Sequence, residues 1–238
     1  MAGWHHDNLT IAGGAPTDGK SWGIAVGDPA GYVNAEGTQH VVYRDTEWVD
    51  YGTPEVSQAT HVHELWWNAD GWHHKDLNIA AGASEAASLG VGNPAGYAFD
   101  ALGTQHVVYR SLDGHIHKLW FDHNGWHHYD LTIAAGAPEE LGWPIPGDPV
   151  GYIFGAYGEQ HVVYRSTVDG HIHQLEFGHK GWHHNDLTIA VGAPEASGDP
   201  AGYVLGMDNH IHELWWGAEV LEKIGVLTTI SDILWKSP

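Results

Sequence analysis

Histidine pairs separated by one residue recur four times in this chain, at His61 and His63, His115 and His117, His171 and His173, and His210 and His212. Residues two apart in an extended strand share a face, so each pair presents two imidazoles side by side. That spacing can chelate Zn²⁺, Cu²⁺ or Ni²⁺, the metals that suit imidazole nitrogen. The competing reading is that the rings line a partly wet seam and hydrogen-bond to neighbouring strands. The 13 tryptophans carry a second chemistry. An indole face stacks on the C–H face of a pyranose, while polar groups at the edge fix its hydroxyls. Trp72, Trp126 and Trp182 each follow a glycine, and the tandems Trp66-Trp67 and Trp215-Trp216 place one indole on each side of a strand. Arg44, Arg110 and Arg165 are the only arginines and share one repeat position. A planar donor fork there can clamp hydroxyls or pair with a carboxylate of a neighbouring unit. Catalysis is disfavoured, because an active site needs unlike groups with separated pKa values. Here each His and Asp recurs in matching surroundings, and Cys is absent. The expectation is a binding protein, not an enzyme, with no required cofactor beyond metal at the His pairs.

These residues belong to a repeated unit, clearest over Gln105–Thr132 (QHVVYRSLDGHIHKLWFDHNGWHHYDLT). It reads as three strands: QHVVYR, the turn SLDG, then HIHKLWF, the turn DHNG, then WHHYDLT. Asn124-Gly125 supplies the positive φ of a tight hairpin. A fourth short element precedes each unit: AGYVN at Ala30, AGYAF at Ala95, VGYIF at Val150 and AGYVL at Ala201. Gly-Trp-His-His stands at Gly3, Gly71, Gly125 and Gly181, at intervals of 68, 54 and 56 residues. About four strands per copy, in four copies of this length, predict an all-β propeller of four blades. The blades fall at about residues 30–78, 95–132, 150–188 and 201–216, within one domain over 1–238. The orphan third strand Trp4–Thr10 is expected to pair with His210–Trp216 and close the ring. The first copy carries an insertion, Asp45–Thr60, in place of the SLDG turn, read as a rim loop. The last copy lacks the QHVVYR strand. The tail, 217–238, fits a helix or a strand equally well by periodicity.

Nine Lys and Arg stand against 30 Asp and Glu, a formal charge of −21. Such a field repels phosphate backbones and anionic membranes, which argues against nucleic acid as a partner and favours neutral ligands. The start MAGWHHDNLT has no basic or apolar leader region, and nothing approaches 18 consecutive apolar residues. A soluble protein without membrane insertion is expected, its compartment and oligomeric state left open.

The blade pattern QHVVYR-(S/T)xDG-HIHxLWx-xxxGWHHxDLT resembles the repeat of bacterial and fungal β-propeller lectins. Similar repeats occur in the seven-bladed lectins of insect-pathogenic bacteria and the fucose lectins of fungi and soil bacteria. The resemblance reaches to about Trp216 and implies a multivalent glycan-binding protein with one shallow site per blade or blade junction. It places an acidic sugar ligand at Glu64, Lys118, Gln174 and Glu213, of which Glu64 and Glu213 are acidic. Stacking aromatics fall at Trp67, Phe121, Phe177 and Trp216 and at the Gly-Trp tryptophans. The arginine of the fucose lectins falls on Val41, Val107 and Val162, so that contact is not kept. The candidate sugar-binding set is therefore Glu64, Glu213, Trp67, Trp72, Trp126, Trp182, Trp216, Arg44, Arg110 and Arg165. The alternatives are a His-rich metal-binding or pH-responsive scaffold, and a protein-interaction platform.

Overall fold

Each repeat folds as the antiparallel meander that its turn residues dictate. The computed structural model describes residues 8–15, 24–49, 57–84, 90–99, 102–138, 147–154, 158–205, 210–220 and 226–236. The first sheet contains β1 (Ile24–Val33), β2 (Gln39–Val49), β3 (Ser57–Ala59), β4 (Val62–Asn68) and β5 (Gly71–Asp76), in the order β1-β2-β4-β5. The insertion is not simply a loop: β2 runs on past Arg44, and its Glu47–Val49 pair with β3. The second sheet is β6 (Gly90–Phe99), β7 (Thr104–Ser111), β8 (Ile116–Asp122) and β9 (Gly125–Asp130). The third is β10 (Val150–Phe154), β11 (Glu159–Arg165), β12 (Ile172–Gly178) and β13 (Gly181–Asp186).

The fourth sheet has three strands, β14 (Ala201–Leu205), β15 (His210–Val220) and β16 (Val226–Lys236). Here β15 fills the place that QHVVYR holds elsewhere: Tyr203 lies opposite His212, as Tyr152 lies opposite His161. The tail is a strand, and β16 pairs with β15 from His210↔Lys236 to Val220↔Val226. Over His210–Leu214 both edges of β15 are thus occupied, and of the strand Trp4–Thr10 expected to pair there, Leu9 and Thr10 are helical. Residues 4–7 lie outside the described residues, and Leu9–Ala12 is one helical turn, α1. Among the described residues no strand pairing joins the sheets into a closed ring.

The third strand of each repeat also stops earlier than expected. It ends at Asp76, Asp130 or Asp186, whose carboxylates accept the N–H of Ile79, Ile133 and Ile189 at 2.9 Å. Those acceptors cap single helical turns: α2 (Leu77–Ala80), α3 (Leu131–Ala135) and α4 (Leu187–Val191). Asn8 caps α1 in the same way. The turns drive Leu77, Leu131 and Leu187 to complete burial. They also place Asn78, Thr132 and Thr188 to accept the N–H of Val62, Ile116 and Ile172 at 2.7, 2.8 and 2.9 Å.

Strand alternation then decides how the sheets stack. Val42 and Val62 on one face of the first sheet pack against Val107, Tyr109 and Leu119 of the second. Val108 and Ile116 on the far face of the second meet Val162, Tyr164 and Leu175 of the third, and the third buries Val163 and Ile172 near Trp215. The first strands of successive sheets touch one another. There the Gly-Tyr pair of each first strand makes the contact: a Cβ on Gly96, Gly151 or Gly202 would run into the ring of Tyr32, Tyr97 or Tyr152 from the preceding sheet. Among the described residues no helix is long and apolar enough to cross a membrane.

Candidate functional site

Between the first two sheets the stacked faces part into a cleft of about 270 Å³. From the first sheet come His40 on β2, Glu64, Trp66 and Asn68 on β4, and Lys75 on β5. His40 lies opposite Trp66, and Glu64 lies opposite Lys75, so all four share one face. The second sheet adds Gln105, Phe121 and Trp126, while Asn34, Glu36 and Thr38 close the rim from the β1–β2 turn. Asn34 Oδ1 holds that turn by accepting the N–H of Glu36 at 3.2 Å and of Thr38 at 2.9 Å.

The floor is hydrogen-bonded in place. Glu64 is 3% exposed, and its Oε1 accepts the Tyr32 hydroxyl at 2.7 Å and lies 2.9 Å from His40 Nδ1. The Tyr32 hydroxyl also reaches Gln105 Oε1 at 3.2 Å, tying the second sheet to the first. Burial first, then the Glu64 charge, holds the Tyr32 phenol well above its usual range, so it stays a donor. Trp66 is braced by His73, stacked at 5.0 Å, and by the Lys75 ammonium 5.7 Å from its ring. Phe121 and Trp126 lean together at 5.6 Å.

The next junction repeats the frame with different chemistry. Lys118 replaces Glu64, and its Nζ bonds Gln160 Oε1 at 2.9 Å and lies 4.9 Å from the Trp182 ring and 6.0 Å from Trp120. Burial pushes this ammonium down to about 7. Burial, with the Lys118 charge added, pushes His106 down to about 3. In the third sheet the position is Gln174, bonded to His161 at 3.1 Å and to Asn185 at 3.1 Å.

The sequence-predicted residues divide. Glu64 and Trp126 meet in the first cleft, and Trp182 lines the second junction beside Lys118. Trp72 packs beside the core cluster of Leu65, Tyr43 and Ala15, and Trp67, opposite it in register, is 45% exposed. The arginines stand four residues along the strand from the cleft histidine, about 13 Å. Arg44 donates to Gly92 O at 2.9 Å, Arg110 to Gly147 O at 3.3 and 3.4 Å, and Arg165 pairs with Asp199 at 3.6 Å. Each guanidinium therefore joins one sheet to the next. The side chains of Glu213, Trp216, His210 and His212 lie outside the described residues. Sequence reasoning missed Trp66, Lys75, Asn34 and Gln105 as cleft residues; their shared face with Glu64 was the available signal for Trp66.

The His pairs lie on the face of each sheet opposite to Glu64, Lys118 or Gln174, which in the second sheet is the face that carries Gln105 and Phe121. His61 Nδ1 lies 2.6 Å from Asp76, His115 Nδ1 2.7 Å from Asp130, and His171 Nδ1 2.8 Å from Asp186. His63, His117 and His173 each face a second carboxylate, of Asp45, Asp113 and Asp169. Among the described residues, Asp169, His171, His173 and Asp186, and likewise Asp113, His115 and His117, are grouped closely enough to hold a metal ion.

No protein-family model and no curated protein matches the sequence. Among solved structures, the chain is similar to a protein of unknown function from Dyadobacter fermentans, with 12% identity and a TM-score of 0.57 over 88% of this chain and 64% of that one. It is also similar to Zg3597, a family 117 glycoside hydrolase from the marine bacterium Zobellia galactanivorans, with 15% identity and a TM-score of 0.51 over 98% and 70%. A fucose-specific lectin from Aleuria aurantia aligns with 13% identity and a TM-score of 0.46 over 87% and 60%, too distant to carry an argument. The chain spans less than two thirds of the length of the Dyadobacter protein and of the lectin. What this likeness establishes is the fold: an all-β, propeller-like array of antiparallel sheets.

Proposed function

We propose that the chain is a carbohydrate-binding module whose principal site is the cleft between the first and second sheets. The observation that carries this reading is the pairing in one cleft of aromatic rings from Trp66, Phe121 and Trp126 with carboxylates and amides from Glu64, Glu36, Asn34, Asn68 and Gln105. Aromatic faces take the C–H side of a pyranose, and planar acceptors take its hydroxyls. The cleft lies near the lower end of small-molecule site volumes, roughly 300 Å³ upward, which suits one sugar ring and part of a second. Glu64 is pre-oriented by Tyr32 and His40, so little ordering remains to be done on binding.

The finer part of the proposal is multivalency. The floor position differs from sheet to sheet, Glu64, Lys118 or Gln174, so sites built on it are unequal. The first is open to a neutral sugar, and in the second the Lys118 ammonium lies among the aromatics. Several weak sites on one chain give avidity on a glycan-coated surface.

A glycan array, read with and without chelator, tests this on the wild type and on Trp66→Ala and Glu64→Gln. Chelator-independent binding that falls at least about tenfold in both variants is expected, since each removes a contact worth about 1.4 kcal/mol or more. Absence of glycan binding, or variants that bind as the wild type does, overturns the proposal. Release of free sugar from the bound glycan would make the chain a hydrolase instead.

A further inference from the structure

We propose that the first three sheets each carry a transition-metal site, built from the HxH pair and two aspartates on the face of the sheet opposite to Glu64, Lys118 or Gln174. The third sheet shows the arrangement most fully: one ligand atom each from Asp169, His171, His173 and Asp186 lie within 4.8 Å of one another. His171 Nδ1 is 2.8 Å from Asp186 Oδ2 and 3.7 Å from Asp169 Oδ2, and His173 Nε2 is 3.4 Å from Asp169 Oδ2. Ligand atoms around a tetrahedral ion with bonds of about 2.0–2.1 Å are about 3.3 Å apart. The observed spacings bracket that edge. Asp113, His115 and His117 form a three-donor group at the matching positions of the second sheet, and Asp130 Oδ2 lies 2.7 Å from His115 Nδ1.

The first sheet supplies an independent observation. In the second and third repeats the carboxylate facing the second histidine comes from the turn, two residues before the first histidine. The insertion puts Ala59 at that place in the first repeat. A carboxylate is nevertheless there, because Asp45, from the position held by Ser111 and Ser166 in the other copies, brings Oδ2 to 3.0 Å from His63 Nε2. His63 is 2% exposed, and its Nε2 faces this oxygen as a buried imidazole–carboxylate pair.

The surroundings fix the donors in advance. The other nitrogen of each inner histidine is held by an outer one, His63 by His74 at 3.0 Å, His117 by His128 at 3.0 Å and His173 by His184 at 2.7 Å. Such a partner sets the tautomer and leaves the remaining nitrogen as a neutral ligand. Asp186 is anchored by capping α4, and Asp169 by the N–H of His171 at 2.9 Å. Two imidazoles and two carboxylates make a neutral complex with a divalent ion, and imidazole selects Zn²⁺, Cu²⁺ or Ni²⁺ over Mg²⁺ and Ca²⁺.

The test is calorimetric titration of the chelator-treated full chain with Zn²⁺ alone, beside Co²⁺ absorption spectroscopy. One equivalent per cluster and the intense visible bands of tetrahedral Co²⁺ are expected. Asp169→Asn keeps the amide oxygen that accepts from His171, so the fold is retained, and it should remove one equivalent. Circular dichroism and the two remaining equivalents report that the variant is folded. Weak octahedral Co²⁺ spectra, or an Asp169→Asn protein that binds as much Zn²⁺ as the wild type, overturn the proposal. Sugar binding is read separately with chelator present, so failure of either idea leaves the other standing.

Discussion

At the scale of single residues, the same side-chain type does different work according to which strand face it occupies. The arginines show this. Arg110 is 1% exposed, gives two N–H groups to the Gly147 carbonyl and lies 5.1 Å over the Tyr164 ring. Arg110→Met keeps most of the volume but strands that carbonyl, which costs about 1–3 kcal/mol. Urea unfolding should show that loss, while glycan affinity at the first cleft stays within twofold. A matching loss of affinity would put Arg110 in the site. Histidine separates in the same manner. Burial pushes His161 down to about 4, where it stacks on Tyr152 at 5.3 Å. As pH falls below the unfolded value of about 6.5, the unfolded chain takes up the proton first. Stability from this ring is therefore complete above about 6.5 and is lost progressively down to about 4, on the order of 3 kcal/mol in all. His161→Gln should flatten that part of the stability–pH curve; a variant with the wild-type slope would refute the assignment.

At the scale of elements, what the repeat conserves internally is the contact each strand makes with the next sheet. Gly151 has no positive φ among the described glycines that do, so its reason is space: the Tyr97 ring lies where a Cβ would be. Gly151→Ala forces apart the first strands of the second and third sheets, and overpacking of this kind costs about 1–3 kcal/mol. Thermal unfolding checks it, and an unchanged midpoint would mean that the tyrosine swings away freely. The helical turns were legible in principle. Asp130-Leu-Thr-Ile-Ala-Ala-Gly136 has an N-cap aspartate and a closing glycine at φ 64°. The strand reading absorbed them because a single turn is too short to show helical period. The Asp45–Thr60 hairpin was hidden for another reason, since its pairing is to an extension of β2 that no other copy has.

At the scale of the whole molecule, the first three sheets each have one face packed against the sheet after it. The first sheet's remaining face is covered by Leu9 and Ala15, beside Leu65, Tyr43 and Trp72. Leu9 opens α1 as Leu77 opens α2, so the N-terminal segment fills the place that a preceding repeat would fill. Deleting residues 1–15 should bare Leu65, now 3% exposed, and Tyr43, and lower stability by several kcal/mol. A truncated chain that unfolds like the full one would show that the cover is dispensable. The strand order, the alternation and the shared face of each HxH pair were readable from the sequence, because period-two patterning records which residues share a face. Nothing in that pattern says what covers the face. Only the stacking of one sheet on the next brings Glu64 and Trp126 into one cleft, turns the arginines into links between sheets and carries Asp45 to the histidine that its own repeat's turn no longer serves. Those pairings join residues far apart in the chain, through packing between sheets, which local periodicity does not encode.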